Sequence, residues 1–196
     1  MRGIDGMGVL IAGLVIFLGV HSIGFAAAGL RDRAVSGWGE GVWKALYGLI
    51  SLVGLVLIVH GFGLTRRAPM VLYAPPGWMR HLTFLFMLPV FPLLIAAYLP
   101  GRIKTAVKHP MLAAVKFWAF SHLLANGTLA DLLLFGGFLA WAVLDRISLK
   151  RRPPRPLHTA RAGGSNDVVA VVLGLALYAV FIGWAHARLF GVSPLG

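Results

Sequence analysis

The sequence contains no cysteine. This absence excludes disulfide bonds, thiolate-bound zinc, iron–sulfur clusters and covalently attached c-type haem, and it leaves histidine as the available soft ligand for a metal. Acidic residues are also scarce, because Asp and Glu together number six, and the chain has no carboxylate pair, Ser/His/Asp set or Walker loop. The sequence therefore offers little for most hydrolytic chemistry.

Hydrophobic residues make up 59% of the 196 residues and charged residues only 12%. Such a composition exceeds the usage of soluble proteins and predicts an all-α, polytopic membrane helical bundle. The formal net charge of +12 would suggest a nucleic-acid partner in a soluble protein, but here the basic residues mostly lie in short gaps between apolar runs. We therefore expect membrane lipids, and no nucleic acid, as partners.

Apolar runs of this length can cross a hydrocarbon core of roughly 30 Å at 1.5 Å per residue. The first run exceeds the apolar region of a cleaved signal peptide and is interpreted as a membrane helix. Pro110 is suited to the start of the fourth helix, and Thr128 with Asp131 resembles a capping box for the fifth. We predict about six transmembrane helices at residues 7–30, 45–64, 82–99, 110–126, 128 to about 144, and 168–190.

Small residues and prolines predict two local features of these helices. Gly48, Ser51 and Gly54 recur at helical spacing, which favours close contact with a neighbouring helix. Pro89 and Pro92 are expected to kink the third helix, because proline removes a backbone hydrogen bond and clashes with the preceding turn.

Twelve of the eighteen Lys and Arg residues fall in the first, third and fifth connections, which share one side of the membrane in a six-helix topology. The positive-inside bias then places both termini outside the cytoplasm. The fifth connection, residues 145–166, is interpreted as a mobile, basic cytoplasmic loop that contacts anionic lipid rather than as a second domain. We therefore expect one domain over residues 1–196.

Two histidines lie deep in apolar runs, and we expect them to hold a metal cofactor between the first and fourth helices. His21 shares its helix face with Phe17, and His122 shares its face with Trp118, as a flat macrocycle would require. The alternative is that each imidazole forms a hydrogen bond to a neighbouring helix. The predicted boundaries place the two histidines at depths that differ by about 9 Å, which an error of one turn in each helix would largely remove.

Other polar residues in or near the spans are further candidates. Lys116 is a candidate contact for a substrate or for a propionate of the macrocycle, although its side chain could extend to the cytoplasmic surface instead. His60 and His186 lie near helix ends, and they are candidates for interfacial residues, metal ligands or proton relays. His81 and His158 are expected in solvated loops. The first interpretation of His109 is that it belongs to the start of a helix.

Four segments resemble the NnrU family of bacterial membrane proteins, which includes the 15-cis-zeta-carotene isomerase of plants and cyanobacteria. The most specific part of the resemblance lies in residues 109–127, where HP is followed in order by K, W, H and NG. The segments are HSIGFAAAGLRD at 21–32, YGLISLVGL at 47–55, HPMLAAVKFWAFSHLLANG at 109–127 and LLLFGGFLAWAVLDRISLKRR at 132–152.

The resemblance implies an integral membrane protein that holds haem b between two histidines, which fall on His21 and on His122, thirteen residues after His109. Ser22 and Asn126 would then orient the imidazoles. Bacterial relatives of this length are associated with denitrification, which implies a role in nitrogen-oxide redox metabolism with a redox partner. The alternative is haem-dependent cis–trans isomerisation of a carotenoid or other apolar polyene, although the chain lacks the N-terminal extension of the plant enzymes.

A more distant resemblance links this kind of HP-containing span to membrane methyltransferases of the isoprenylcysteine type. Those proteins carry an arginine before HP and a glutamate motif downstream. Here Lys108 precedes His109, and residues 132–144 contain no acid. The methyltransferase interpretation therefore ranks third.

Overall fold

The computed structural model describes residues 2–152 and 159–196, with the side chains of the first helix described from Asp5 onward. The described residues form helices and no strand, which confirms the all-α class. The helices are α1 (Arg2–Ala26), α2 (Ala28–Trp38), α3 (Glu40–Thr65), α4 (Met79–Met87), α5 (Val90–Tyr98), α6 (Arg102–Val107), α7 (Pro110–Ala125), α8 (Leu129–Ser148), α9 (Asn166–Val180), a π-helical turn (Phe181–Ala185) and α10 (His186–Phe190).

The chain divides into two compact units. The first comprises Met1–Pro76 and Ala125–Pro153, and the second comprises Gly77–Leu124 and Pro154–Gly196. The single domain expected from the sequence stays a prediction.

In the first unit, α1 packs along α3 with backbones in close approach. A β-carbon on Gly13 would lie 2.6 Å from the backbone nitrogen of Ile58, and one on Gly54 would lie 2.8 Å from that of Phe17. The partner's number falls as the number in α1 rises, so the two helices run antiparallel. Glycine is required at these contacts because ordinary carbon contacts need about 3.5–4.0 Å.

The close contact predicted from small residues of α3 is confirmed at Gly54 and is wrong at Gly48. A β-carbon on Gly48 would meet nothing within 4 Å, because this residue lies on the exposed face of the helix. The Ser51 hydroxyl donates to the Tyr47 carbonyl of its own helix at 2.7 Å.

The start of α8 confirms the predicted capping box. The Thr128 hydroxyl oxygen accepts from the Asp131 backbone N–H at 3.2 Å, and the Asp131 carboxylate accepts from the Thr128 N–H at 3.0 Å. An extended segment docks beside this cap, where the backbone N–H of Leu72 donates to the Gly127 carbonyl at 2.8 Å. Burial and, secondarily, the Asp131 carboxylate raise the pKa of Tyr73, whose hydroxyl therefore stays protonated and donates to the Asn126 carbonyl at 2.6 Å.

In the second unit, proline interrupts the third apolar run as predicted. The helix breaks between α4 and α5 at Pro89, whereas Pro92 lies in the first turn of α5, where its missing N–H costs little. The backbone of Pro92 lies against Gly174 of α9, leaving no room for a side chain. The Tyr178 hydroxyl donates to the Phe84 carbonyl at 2.9 Å and so joins α9 to α4.

A carboxylate of α9 caps the short helix α6. Asp167 accepts from the backbone N–H groups of Arg102 at 2.8 Å and Ile103 at 3.0 Å. This contact satisfies two donors at a helix start that would otherwise have no partner within the helix. It also fixes the connection between α5 and α7 against α9.

Four helical stretches are long and apolar enough to cross a membrane: Asp5–Ala26, Glu40–Thr65, Met79–Tyr98 and Asn166–Phe190. The predicted six included two helices that fall short of this description. Helix α7 is apolar but has only 16 residues, and α8 has 20 residues but carries Asp131, Asp145 and Arg146. The predicted number of about six membrane helices is therefore only approximate.

The first two predicted connections differ from the structure. The segment after the first span is mostly helical, because α2 occupies 28–38 and α3 begins at Glu40. His81 lies within α4 rather than in a loop, although it is exposed as expected.

The basic loop is shorter than predicted, because α8 continues to Ser148 and α9 begins at Asn166. Arg152 folds back onto α8, where its guanidinium pairs with Asp145 and its Nε donates to the Ser148 hydroxyl at 2.9 Å. His158 and the rest of residues 153–158 lie outside the described residues.

Candidate functional site

His21 lies in the first unit, in a box of aromatic side chains drawn from three helices. Its ring stacks on Phe17 of the preceding turn, with centroids 4.2 Å apart and planes 23° apart. Tyr47 of α3 lies 5.2 Å from the imidazole centroid, and Trp141 of α8 meets it edge-on at 6.1 Å and 86°. We call these four residues the aromatic box. Phe138 of α8 extends it, with its centroid 5.6 Å from that of Phe17.

The imidazole of His21 is oriented by its own helix. Its Nδ1 lies 2.7 Å from the Phe17 carbonyl oxygen. A carbonyl can only accept, so Nδ1 carries the proton, and in the neutral ring Nε2 carries the lone pair. Ser22, which was expected to orient the imidazole, donates instead to the Leu18 carbonyl at 2.6 Å.

The aromatic box contains a buried donor that the surrounding helices do not satisfy. Among the described residues, Trp141 Nε1 is the buried side-chain nitrogen or oxygen that has no hydrogen-bond partner. A buried N–H without an acceptor costs roughly 1–3 kcal/mol. The box therefore combines apolar walls, an imidazole lone pair and an unsatisfied N–H donor.

His122 lies in the second unit, on α7, and repeats the local arrangement of His21. Its Nδ1 lies 2.8 Å from the Trp118 carbonyl four residues earlier, so Nε2 again carries the lone pair of the neutral ring. The Trp118 ring is 5.4 Å from the imidazole centroid at 52°. Trp118 also packs against the buried core of this unit, formed by Val90, Leu93 and Ala114.

The remaining predicted site residues have varied surroundings. Asn126 follows α7, and its backbone carbonyl accepts the bond from Tyr73. Lys116 is half-buried on α7, whereas His60 lies exposed on α3. His109 immediately precedes α7, as expected for a helix start.

His186 resembles the two central histidines in only one respect. Its Nδ1 lies 2.7 Å from a carbonyl, but that carbonyl belongs to Val192 beyond the helix end. Phe181 and Phe190 flank the ring, with centroids 5.9 and 5.0 Å away. Its carbonyl bond therefore holds the C-terminal segment against α10.

The described part of the chain contains no group of three or more His, Cys, Asp or Glu side chains that could hold a metal ion. An isolated imidazole such as that of His21 could serve a metal that brings most of its own ligands. Haem fits this description, because the porphyrin supplies four nitrogens and the protein need supply only axial imidazoles. The aromatic walls and the unsatisfied Trp141 N–H also fit a flat macrocycle whose edges bear hydrogen-bond acceptors.

Sequence reasoning singled out His21 but missed Tyr47 and Trp141 as its surroundings. Both residues lie in segments that carry the family resemblance, at the start of 47–55 and within 132–152. Helical spacing relates only residues of the same helix, so it pointed to Phe17 and not to rings contributed by α3 and α8.

The family model described as NnrU protein matches residues 9–194. No curated protein and no solved structure matches the chain. The matched region includes all four residues of the aromatic box and all of α7. The chain belongs to the NnrU family.

Proposed function

We propose that this protein is a membrane haem b-binding protein and that the imidazoles of His21 and His122 would hold the haem iron. The observation that carries the proposal is that each of the two rings forms the same kind of hydrogen bond within its own helix. Each Nδ1 binds the carbonyl four residues earlier, at 2.7 and 2.8 Å, so each ring directs its basic nitrogen away from its own helix. Metal-binding histidines are commonly held in this way by a partner at the other ring nitrogen.

The residues around His21 would contribute binding and exclusion of water. Phe17 supports one face of the imidazole, and Tyr47 and Trp141 add apolar surface beside it. The bound haem would supply one-electron redox chemistry, whose potential depends on axial ligation, nearby hydrogen bonds and burial. A box built largely from aromatic rings keeps the local dielectric low.

The physiological role in this proposal is redox sensing or electron transfer linked to nitrogen-oxide respiration in a bacterial inner membrane. Membership of the NnrU family and the apolar helices support it. Haem-dependent isomerisation of a carotenoid is the alternative within the same family, and it would use the same imidazoles. The two functions differ in whether an apolar polyene is converted.

An absorption spectrum of the detergent-purified protein tests the proposed ligands. We expect wild-type protein expressed with added haem to show a low-spin Soret spectrum, and His21→Ala and His122→Ala each to lose haem or its low-spin character. His60→Ala is the matched control, because this exposed imidazole also lies on an apolar helix. Low-spin spectra that survive both test substitutions would show the ligand assignment to be wrong. A wild-type protein without a Soret band would favour a metal-free accessory role.

The proposed orientation places both termini on the non-cytoplasmic side, in agreement with the distribution of Lys and Arg. Because the native chain has no cysteine, single introduced thiols can report the side directly. In intact cells, an impermeant maleimide should label Ser193→Cys near the C-terminus. It should label Ser36→Cys, in the first connection, only after lysis. The reverse pattern would invert the proposed orientation.

A further inference from the structure

Trp141 presents a donor that its protein surroundings leave without an acceptor. Its Nε1 is buried, and no hydrogen bond is formed to it within the described part of the chain. The indole meets the His21 imidazole edge-on, with ring centroids 6.1 Å apart. The unsatisfied donor and the proposed haem ligand therefore belong to the same aromatic box.

We propose that the Trp141 indole N–H donates a hydrogen bond to a carboxylate oxygen of the molecule bound at His21, which for haem b is a propionate. The inference rests on the proposed function, because His21 must be a haem ligand for the porphyrin to lie here. Trp141 is then a ligand-positioning residue that recognises the acidic edge of the macrocycle.

The position of Trp141 on α8 suits this role. Phe138, one turn earlier, packs against Phe17, whereas Asp145, one turn later, pairs with Arg152. Residues at these spacings share one face of a helix. This face changes from apolar to charged along its length, and Trp141 lies at the change. A molecule with an apolar body and a hydrogen-bond-accepting edge matches this change, because Arg152 offsets the charge of Asp145.

The indole nitrogen is shielded by its present neighbours, so the acceptor must arrive with a ligand that displaces part of this packing. A hydrogen bond to a charged acceptor contributes roughly 1.5–3 kcal/mol, and its loss should weaken haem binding on the order of tenfold to a hundredfold. An exposed tryptophan would show no such effect. Trp184, in the π-helical turn, is 60% exposed and provides the matched control.

The experiment is a haem titration of the full-length apoprotein in detergent. We expect the dissociation constant to rise by the stated factor in Trp141→Phe and in a variant carrying the isosteric benzothienyl analogue of tryptophan at position 141, which removes the N–H and keeps the ring. Trp184→Phe should stay within twofold of wild type. Repeating the titration with the dimethyl ester of haem, whose uncharged ester oxygens are weaker acceptors than a carboxylate, should reduce the difference between wild type and Trp141→Phe.

A second measurement reads the hydrogen bond itself. In protein labelled with ¹⁵N at the indole nitrogens, the Trp141 Nε1–H proton resonance should move downfield when haem is added. A normal Soret band with an unmoved resonance, or with unchanged affinity in both position-141 variants, would overturn this inference and leave the haem proposal intact. Wild-type protein that forms no Soret band would overturn both.

Discussion

Replacing Gly13 by alanine should destabilise the first unit, because the α1–α3 contact has no space for a methyl group. The new β-carbon would lie 2.6 Å from the Ile58 nitrogen and 2.9 Å from the Gly54 carbonyl oxygen. Ordinary carbon contacts need about 3.5–4.0 Å, so the two backbones would have to separate by roughly 1 Å. Both clashing atoms belong to backbone and cannot rotate away as a side-chain end could.

The magnitude follows from two opposing effects. Forcing extra volume into a packed interface typically costs about 1–3 kcal/mol. Alanine in place of glycine in a helix returns about 0.5–1 kcal/mol through lower backbone entropy in the unfolded chain. Gly19→Ala is the matched control, because Gly19 lies on the exposed side of the same helix and a β-carbon there would meet nothing within 4 Å.

We expect Gly19→Ala to be neutral or slightly stabilising and Gly13→Ala to be less stable than Gly19→Ala by about 1–3 kcal/mol. The assay is reversible denaturation in mixed detergent micelles, followed by circular dichroism. Because the same interface brings Tyr47 of α3 beside His21, we also expect Gly13→Ala to retain haem less well than the control. Equal stability of the two variants would show that this helix contact is not as close as described.

Three further predictions concern other parts of the molecule. Asp167→Ala should destabilise the second unit by about 1–2 kcal/mol, because the N–H groups of Arg102 and Ile103 lose their acceptor, and an unchanged melting temperature would contradict this. Lys108 has a φ of 64°, and the His109 N–H donates across it to the Val107 carbonyl, so Lys108→Gly should stabilise the protein by about 1 kcal/mol relative to Lys108→Ala. Chemical denaturation should show no gain for glycine if the strain is absent. Reduced, haem-loaded protein incubated with a 15-cis-carotene should leave the isomer composition of the carotene unchanged, as measured by chromatography. Conversion of the carotene would favour the isomerase alternative.

Much of the fold follows from local sequence signals. The apolar runs predicted the long helices, Pro89 predicted the break in the third run, and Thr128 with Asp131 predicted the start of α8. These signals act within a few residues, so a sequence contains them completely. Residues 31–44 were predicted to be a polar connection between the first two spans, but α2 and the start of α3 occupy most of this segment, because polar residues form helices readily when no proline intervenes.

The surroundings of the candidate site could be predicted only in part. The sequence showed that Phe17 shares a helix face with His21, and the structure adds the hydrogen bond from Nδ1 to its carbonyl. Tyr47 and Trp141 belong to other helices, and their approach depends on how α3 and α8 pack against α1. Of the two glycines proposed for helix contact, only Gly54 faces α1, because the periodicity of small residues does not reveal which face is buried.

The glycine contacts between α1 and α3 also determine the direction in which Tyr47 projects from α3 toward the aromatic box. Tyr47 precedes Gly54 by seven residues, close to two full helical turns, so both project from the same side of α3. One residue inserted between them would turn Tyr47 by about 100° relative to the contact with Phe17, whereas seven inserted residues would nearly restore its direction. The length of chain between these two positions is thus under a constraint that substitutions alone would not reveal.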